Sequence, residues 1–277
     1  MRSSLSCSVL RVKKLLAVPV AALLAVGMAG CTVMDVVGPR PNKEIMALAR
    51  QATADAGEGT YGELRRFHSQ QLIDEALRLC GTSPNGEVPS SCDASLDGAE
   101  LPAAESVSAL VDSTVAAANR VPDESVDVVV AQAIDAVALD EVDMQAVGLS
   151  GIEAEADVAA AQQLLFAEDQ LRYGLTFALA YADEGLRERI RALLDASRER
   201  VVALQEILPP AAEPLDVPAA YVFREPDVEP ENAEEATRLV DDLQRGLVDQ
   251  WRLSAAQAES DVWRRDAIYF AAHAQRD

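Results

Sequence analysis

The chain is 277 residues long and sets 24 Lys+Arg against 46 Asp+Glu, a formal net charge of −22. So acidic a balance excludes capture of nucleic acid, or of an anionic membrane surface, by charge alone, because both need a basic face. Aromatic residues are 4% and glycine and proline are ordinary, which excludes collagen-like and disordered classes and points to an Ala-rich helical protein with one large or two small domains.

In chain order, the first segment reads as an export signal. Arg2, Arg11, Lys13 and Lys14 form a basic head, and no acid precedes Asp35. Leu15 to Met28 is uncharged but too short and too rich in alanine for a comfortable span. Met28-Ala29-Gly30-Cys31 then resembles the lipobox of bacterial lipoprotein signal peptides, with Cys31 as the thiol that accepts a diacylglyceryl group. The expected division is a lipoprotein signal peptide at 1–30 and a tether at 31–41. Removing the signal takes away four basic residues and no acid, so the mature net charge is −26. Each buried lipid methylene contributes about 0.8 kcal/mol, so two or three acyl chains (palmitate-type) hold the chain permanently. The tether from Thr32 to Pro41 spans at most about 33 Å and is stiffened by Pro39 and Pro41.

With Cys7 in the signal and Cys31 modified, Cys80 and Cys92 remain as one pair around a run of turn residues. A disulfide there stabilises by about 3 kcal/mol in the chain-entropy view. Two free thiols or a metal pair are the alternatives, the latter without a nearby histidine.

Almost everything after residue 41 has helical periodicity. Asn42 caps a first segment with Ile45, Leu48, Ala49 and Ala52 inward. Gly57-Glu58-Gly59 ends it, and Tyr61 to Cys80 carries Leu64, His68, Leu72, Ala76 and Leu79 on one stripe. Val107 to Ala118 gives a third, and Pro122-Asp123-Glu124 opens a fourth with Val126, Val129, Val130, Ala133, Ile134 and Val137 inward. Between 87 and 170 stand 18 acids and one Arg, Arg120, most simply a solvated face. Ser150-Gly151-Ile152-Glu153 reads as a capping box that starts a long helix running to about Glu184, with Gly185 as its breaker. Its partner carries Leu186, Ile190, Leu193, Ser197, Val201, Leu204 and Leu208. Six prolines punctuate 209–230 around Tyr221-Val222-Phe223, and helices resume at 231–258 and 261–276. The expected domains are an N-terminal helical region at 42–147 and a four-helix domain at 150–277.

Two short-turn hairpins joined by one long connection is the chain order of a ferritin-like bundle. Phe166-Ala167-Glu168 through Arg172-Tyr173-Gly174, Ser197-Arg198-Glu199-Arg200, Pro209-Pro210 and Leu239 to Trp251 are similar to the ferritin-like domain of unknown function found in actinobacterial lipoproteins. The resemblance covers about 150–277, and Arg78-Leu79-Cys80-Gly81 with Pro89-Ser90-Ser91-Cys92 resembles the N-terminal part of such proteins. It implies an all-α, C-terminal ferritin-like four-helix bundle preceded by further helices, without implying a metal centre.

A di-iron site requires inward Glu residues and Glu-x-x-His pairs, and no Glu-x-x-His occurs in this chain. Glu168 lies on the stripe of Leu164, Leu171 and Leu175, but the matching inward position on the next helix is Ser197, a poor ligand. Glu168 and His68 are weak metal candidates, with acids of the middle region as the further ligands such a site would draw on. Glu168 is expected to pair with Arg172 or Arg198, His68 to be a hydrogen-bonded core histidine, and His273 to be exposed near a fraying end. Trp251 and Trp263 read as core. No nucleophile elbow, P-loop or dinucleotide fingerprint is present. The reading is therefore a non-enzymatic envelope lipoprotein without cofactor, held at the outer face of the cytoplasmic membrane through Cys31. Its partner is an envelope protein or small ligand, not nucleic acid. The alternative is a metal-binding or redox bundle, and a ligand pocket under 209–230 is a third idea.

Overall fold

A computed structural model describes residues 38–98, 101–210 and 229–276 of the chain. The signal segment, Cys31, Tyr221 and Phe223 lie outside the described residues. Helix α1, Lys43–Asp55, begins where Asn42 Oδ1 accepts from the Glu44 and Ile45 amides at 3.0 and 3.1 Å. Helix α2, Gly59–Cys80, stops at Gly81, whose φ of 70° only glycine adopts freely. Cys80 and Cys92 are bonded beyond it, with Cα atoms 6.2 Å apart. Ser106 caps α3, Val107–Ala118, through the Ala109 amide, and Pro122 precedes α4, Asp123–Val137, whose first turn is acidic.

Two boundaries differ from the sequence expectation. Helix α5 spans Glu155–Ala178 and starts after, not at, Ser150-Gly151-Ile152-Glu153. The backbone donors of this segment are engaged elsewhere: the Ser150 amide donates to Asp266 Oδ2 at 3.1 Å and the Ile152 amide to the Ile207 carbonyl at 3.1 Å. Ile152 is buried, so tertiary packing overrides the local capping pattern. At the other end α5 stops well before Glu184, because Asp183 caps the next helix through the Leu186 amide at 2.9 Å. Gly185 thus lies inside α6, Glu184–Ile207, and breaks nothing. Asn232 caps α7, Ala233–Gln257, and Ser260 Oγ accepts from the Trp263 amide ahead of α8, Asp261–Arg276.

The described residues contain these eight α-helices and no strand. Each half packs as a ring of four: α1 with α2 and α3, α4 with α2 and α3, then α5 with α6 and α7, α8 with α6 and α7. The halves meet where α4 lies on α7 and α8 and α3 lies on α8, and their apolar side chains form one continuous core. Residues Pro39–Asp277 are accordingly one compact unit. The N-terminal core is Val, Ala, Ile, Leu and Met without a buried Trp or Phe, whereas Trp251, Trp263 and Phe270 fill the C-terminal one.

Direction follows from contacts. The Ile152–Ile207 bond sets α5 antiparallel to α6. Asp157 near the start of α5 binds Ser260, and Gly174 near its end meets Leu243, so α7 also runs antiparallel to α5. Helices α6 and α7 are therefore parallel, and the chain leaves α6 at one end of the bundle and enters α7 at the other. Among the described residues no helix is long and apolar enough to cross a membrane.

Candidate functional site

Glu168 and His68 fall into two ionic clusters, one in each half. In the C-terminal half, Glu168 on α5 and Arg200 on α6 are both 0% exposed. Arg200 Nε donates to Glu168 Oε1 at 2.7 Å and Nη2 to Oε2 at 3.3 Å, a forked grip. The Trp251 indole N–H donates to the same Oε1 at 2.9 Å, and its ring stacks on Phe270 at 4.7 Å. Arg200 Nη1 lies 3.0 Å from His273 Nδ1. A guanidinium only donates, so Nδ1 is the acceptor and the ring proton sits on Nε2, which faces Glu199 Oε2 at 3.3 Å.

The partner of Glu168 is thus Arg200, not Arg172 or Arg198. Arg200 falls seven residues after Leu193 and three after Ser197, in register with the buried stripe, whereas Arg198 is exposed and pairs with Asp195. His273, expected to be exposed, is buried, because α8 keeps its helical form to Arg276 and presses this face onto α6. Ser197 is inward, and its Oγ has no hydrogen-bond partner among the described residues.

The N-terminal cluster has the same grammar. Arg65 on α2 donates from Nε to Asp55 Oδ2 at 3.0 Å, and its Nη1 lies 3.1 Å from His68 Nδ1. His68 Nε2 faces Asp135 Oδ2 on α4 at 3.9 Å, too long for a hydrogen bond. Burial lowers the His68 pKa, the Arg65 charge adds to this, and Asp135 opposes it. Burial alone would raise the Asp135 carboxyl, but His68, Gln275 and the Arg252 charge outweigh it and hold it below the ordinary value. Arg252 on α7 and Gln275 on α8 both donate to Asp135 Oδ1, so this cluster reaches across the junction between the halves.

The Glu168–Arg200 centre is chemically closed, whereas in the N-terminal cluster His68 Nε2 has no hydrogen-bond partner among the described residues and the Asp135 side chain is 31% exposed. The two oxygens of Glu168 are engaged by a guanidinium and an indole, and a metal ion there would have to displace Arg200. The structure places the two weak metal candidates in different clusters, and no group of three His, Cys, Asp or Glu able to hold a metal occurs among the described residues. Asp266 is a separate buried carboxyl: burial pushes its pKa up to about 6, only partly offset by the Ser150 amide and Arg265. Arg65, Asp55 and Arg200 were not singled out in the sequence as partners. The signal was there, since an arginine in register with an apolar stripe needs a buried acid. No protein-family model matches this chain, and neither a curated protein nor a solved structure matches it.

Proposed function

We propose that this chain is a lipid-anchored cell-envelope protein, exported and held at the outer face of the cytoplasmic membrane through Cys31, that works as a non-enzymatic binding or assembly module. In this reading α5 to α8 form a ferritin-like bundle, supported by the pairing of two hairpins and the parallel run of α6 and α7. The observation that carries the non-enzymatic reading is the closed state of the Glu168–Arg200 centre, where each carboxylate oxygen is already bonded to a protein donor. A general acid, base or metal ligand needs a free oxygen that solvent or substrate can reach, and both side chains are 0% exposed. The forked pair instead ties α5 to α6, and Trp251 ties α7 to the same point. The anchor reading rests on the lipobox-like Met28-Ala29-Gly30-Cys31 behind an uncharged stretch.

Two experiments test the two parts. Growth with a clickable palmitate analogue is expected to label the wild type and not Cys31→Ala, and persistent labelling of the variant refutes the anchor. Crosslinked capture from intact cells, followed by a hydrolase and redox substrate screen on the purified protein, addresses the module. Turnover abolished by a single substitution would overturn the non-enzymatic reading.

A further inference from the structure

Three arginines are buried in the described residues: Arg65, Arg200 and Arg264. The first two each grip a carboxylate, and Arg264 on α8 makes no salt bridge among the described residues, although it is only 5% exposed. Its Nη2 donates to the Ala258 carbonyl, its Nη1 reaches Asn119 Oδ1 at a long 3.3 Å, and its Nε has no partner. Burial pulls its pKa down, and the more distant Asp261 and Asp157 offset only part of that. A buried cation without an anion is among the costliest features a fold can keep.

Arg264 lines a cleft of about 560 Å³ where the end of α3 and the start of α4 face the end of α7. Val121 and Val126 contribute its apolar lining. Asp123 and Asp127, one helical turn apart on α4, also line the cleft, and both are exposed with no ion pair among the described residues. Helix α4 opens here with Pro122 in the cap position, so its first amides receive no side-chain acceptor. One cleft therefore holds an unpaired cation, an uncapped helix start and two unpaired carboxylates.

We infer that this cleft binds a small zwitterion of the α-amino-acid type, its carboxylate on Arg264 and its ammonium on Asp123 and Asp127. A simple anion would meet the two aspartates and a simple cation would meet the guanidinium, so only a ligand carrying both charges satisfies the whole cleft. The volume falls in the range of small-molecule sites, and the valines favour an apolar side chain. This deepens the binding-module reading and rests on it, while being independent of the anchor.

The test is isothermal titration of the full-length protein in detergent with the standard amino acids, alanine dipeptides, acetate, phosphate and methylammonium. An apolar amino acid or dipeptide is expected to bind with a Kd of about 1 mM or tighter, and the two arms decide between a free amino acid and a peptide. Arg264→Met should abolish binding. The exposed pair Asp123→Asn/Asp127→Asn should weaken it at least about tenfold while the protein still unfolds cooperatively, with only the small Tm loss that removing a first-turn acid brings, which keeps the test sound should Arg264→Met unfold. No zwitterion bound at that level, acetate or phosphate bound equally well, or affinity unchanged in the double aspartate variant each overturns the assignment. A null titration removes the ligand but leaves Cys31 labelling unaffected, so the two readings fail separately.

Discussion

The two ionic clusters share a plan, and their differences show how each half is held. In both, an arginine Nε binds a carboxylate, its Nη1 binds a histidine Nδ1, and the histidine Nε2 turns toward a second acid. The C-terminal cluster is internal to its own four helices and has an added donor, Trp251, set in stacked aromatic rings. The N-terminal cluster sits among small aliphatic side chains and finishes on Asp135, which the other half holds through Arg252 and Gln275. One cluster therefore rigidifies a bundle, and the other helps weld two bundles together. A neutral histidine as the second ligand of a buried guanidinium satisfies its donors without adding charge to the core.

The largest expected effect comes from deleting the first carboxylate of each cluster. Glu168→Ala and Asp55→Ala each leave a buried guanidinium unpaired and should cost about 3–5 kcal/mol in urea unfolding. A loss below about 1 kcal/mol at only one of them would break the parallel.

Next is Asp266→Asn, which probes an ionisable group for which neither cluster has an equivalent. Its carboxyl has a folded pKa of about 6 against 3.8 in the unfolded chain, so ionisation destabilises the native state as pH rises through that window. The variant should gain about 3 kcal/mol at pH 7 and nothing below pH of about 3.8, read from denaturation at both pH values.

Trp251→Phe keeps an aromatic ring but removes the donor that only the C-terminal cluster has. A loss of about 1–2 kcal/mol is expected, and no loss would mean that the Glu168–Arg200 fork alone carries that cluster. The smallest effect is a slope. Unfolded His68 takes up a proton near 6.5, and folded His68 does so only at lower pH. The unfolded state thus binds more protons in that window, and stability falls as pH drops below 6.5. His68→Gln should flatten this decline, and an unchanged profile would show that another group governs it.

Much of this organisation was legible in the chain. The apolar stripes of α1, α3 and α4 and the tryptophan positions follow from helical period, and the buried place of His68 between Leu64 and Leu72 follows from the same register. The start of α5 was not legible, because the Ser150 and Ile152 amides are claimed by Asp266 and Ile207, residues more than fifty positions away. The burial of Arg200 was legible, since it keeps the register of Leu193 and Ser197 that Arg198 leaves, but its pairing with Glu168 follows only from the facing of α5 and α6. The burial of His273 was not legible either, because a chain end reads as a frayed end, whereas α8 keeps its helical form to Arg276 with this face pressed onto α6. The Arg264 cleft lies between four helix termini, a juxtaposition that no local pattern announces.

Both tryptophans lie in the C-terminal helices, fully buried, with their indole N–H groups bonded to Glu168 and Ser254. The N-terminal helices contribute no indole at all. Fluorescence excited selectively at tryptophan is thus a reporter with an address: both of its fluorophores lie in α5 to α8 and none in α1 to α4. Far-ultraviolet dichroism weights every helix alike. Overlaying the two melting curves would read out, without a label, whether the halves come apart as one body or in sequence.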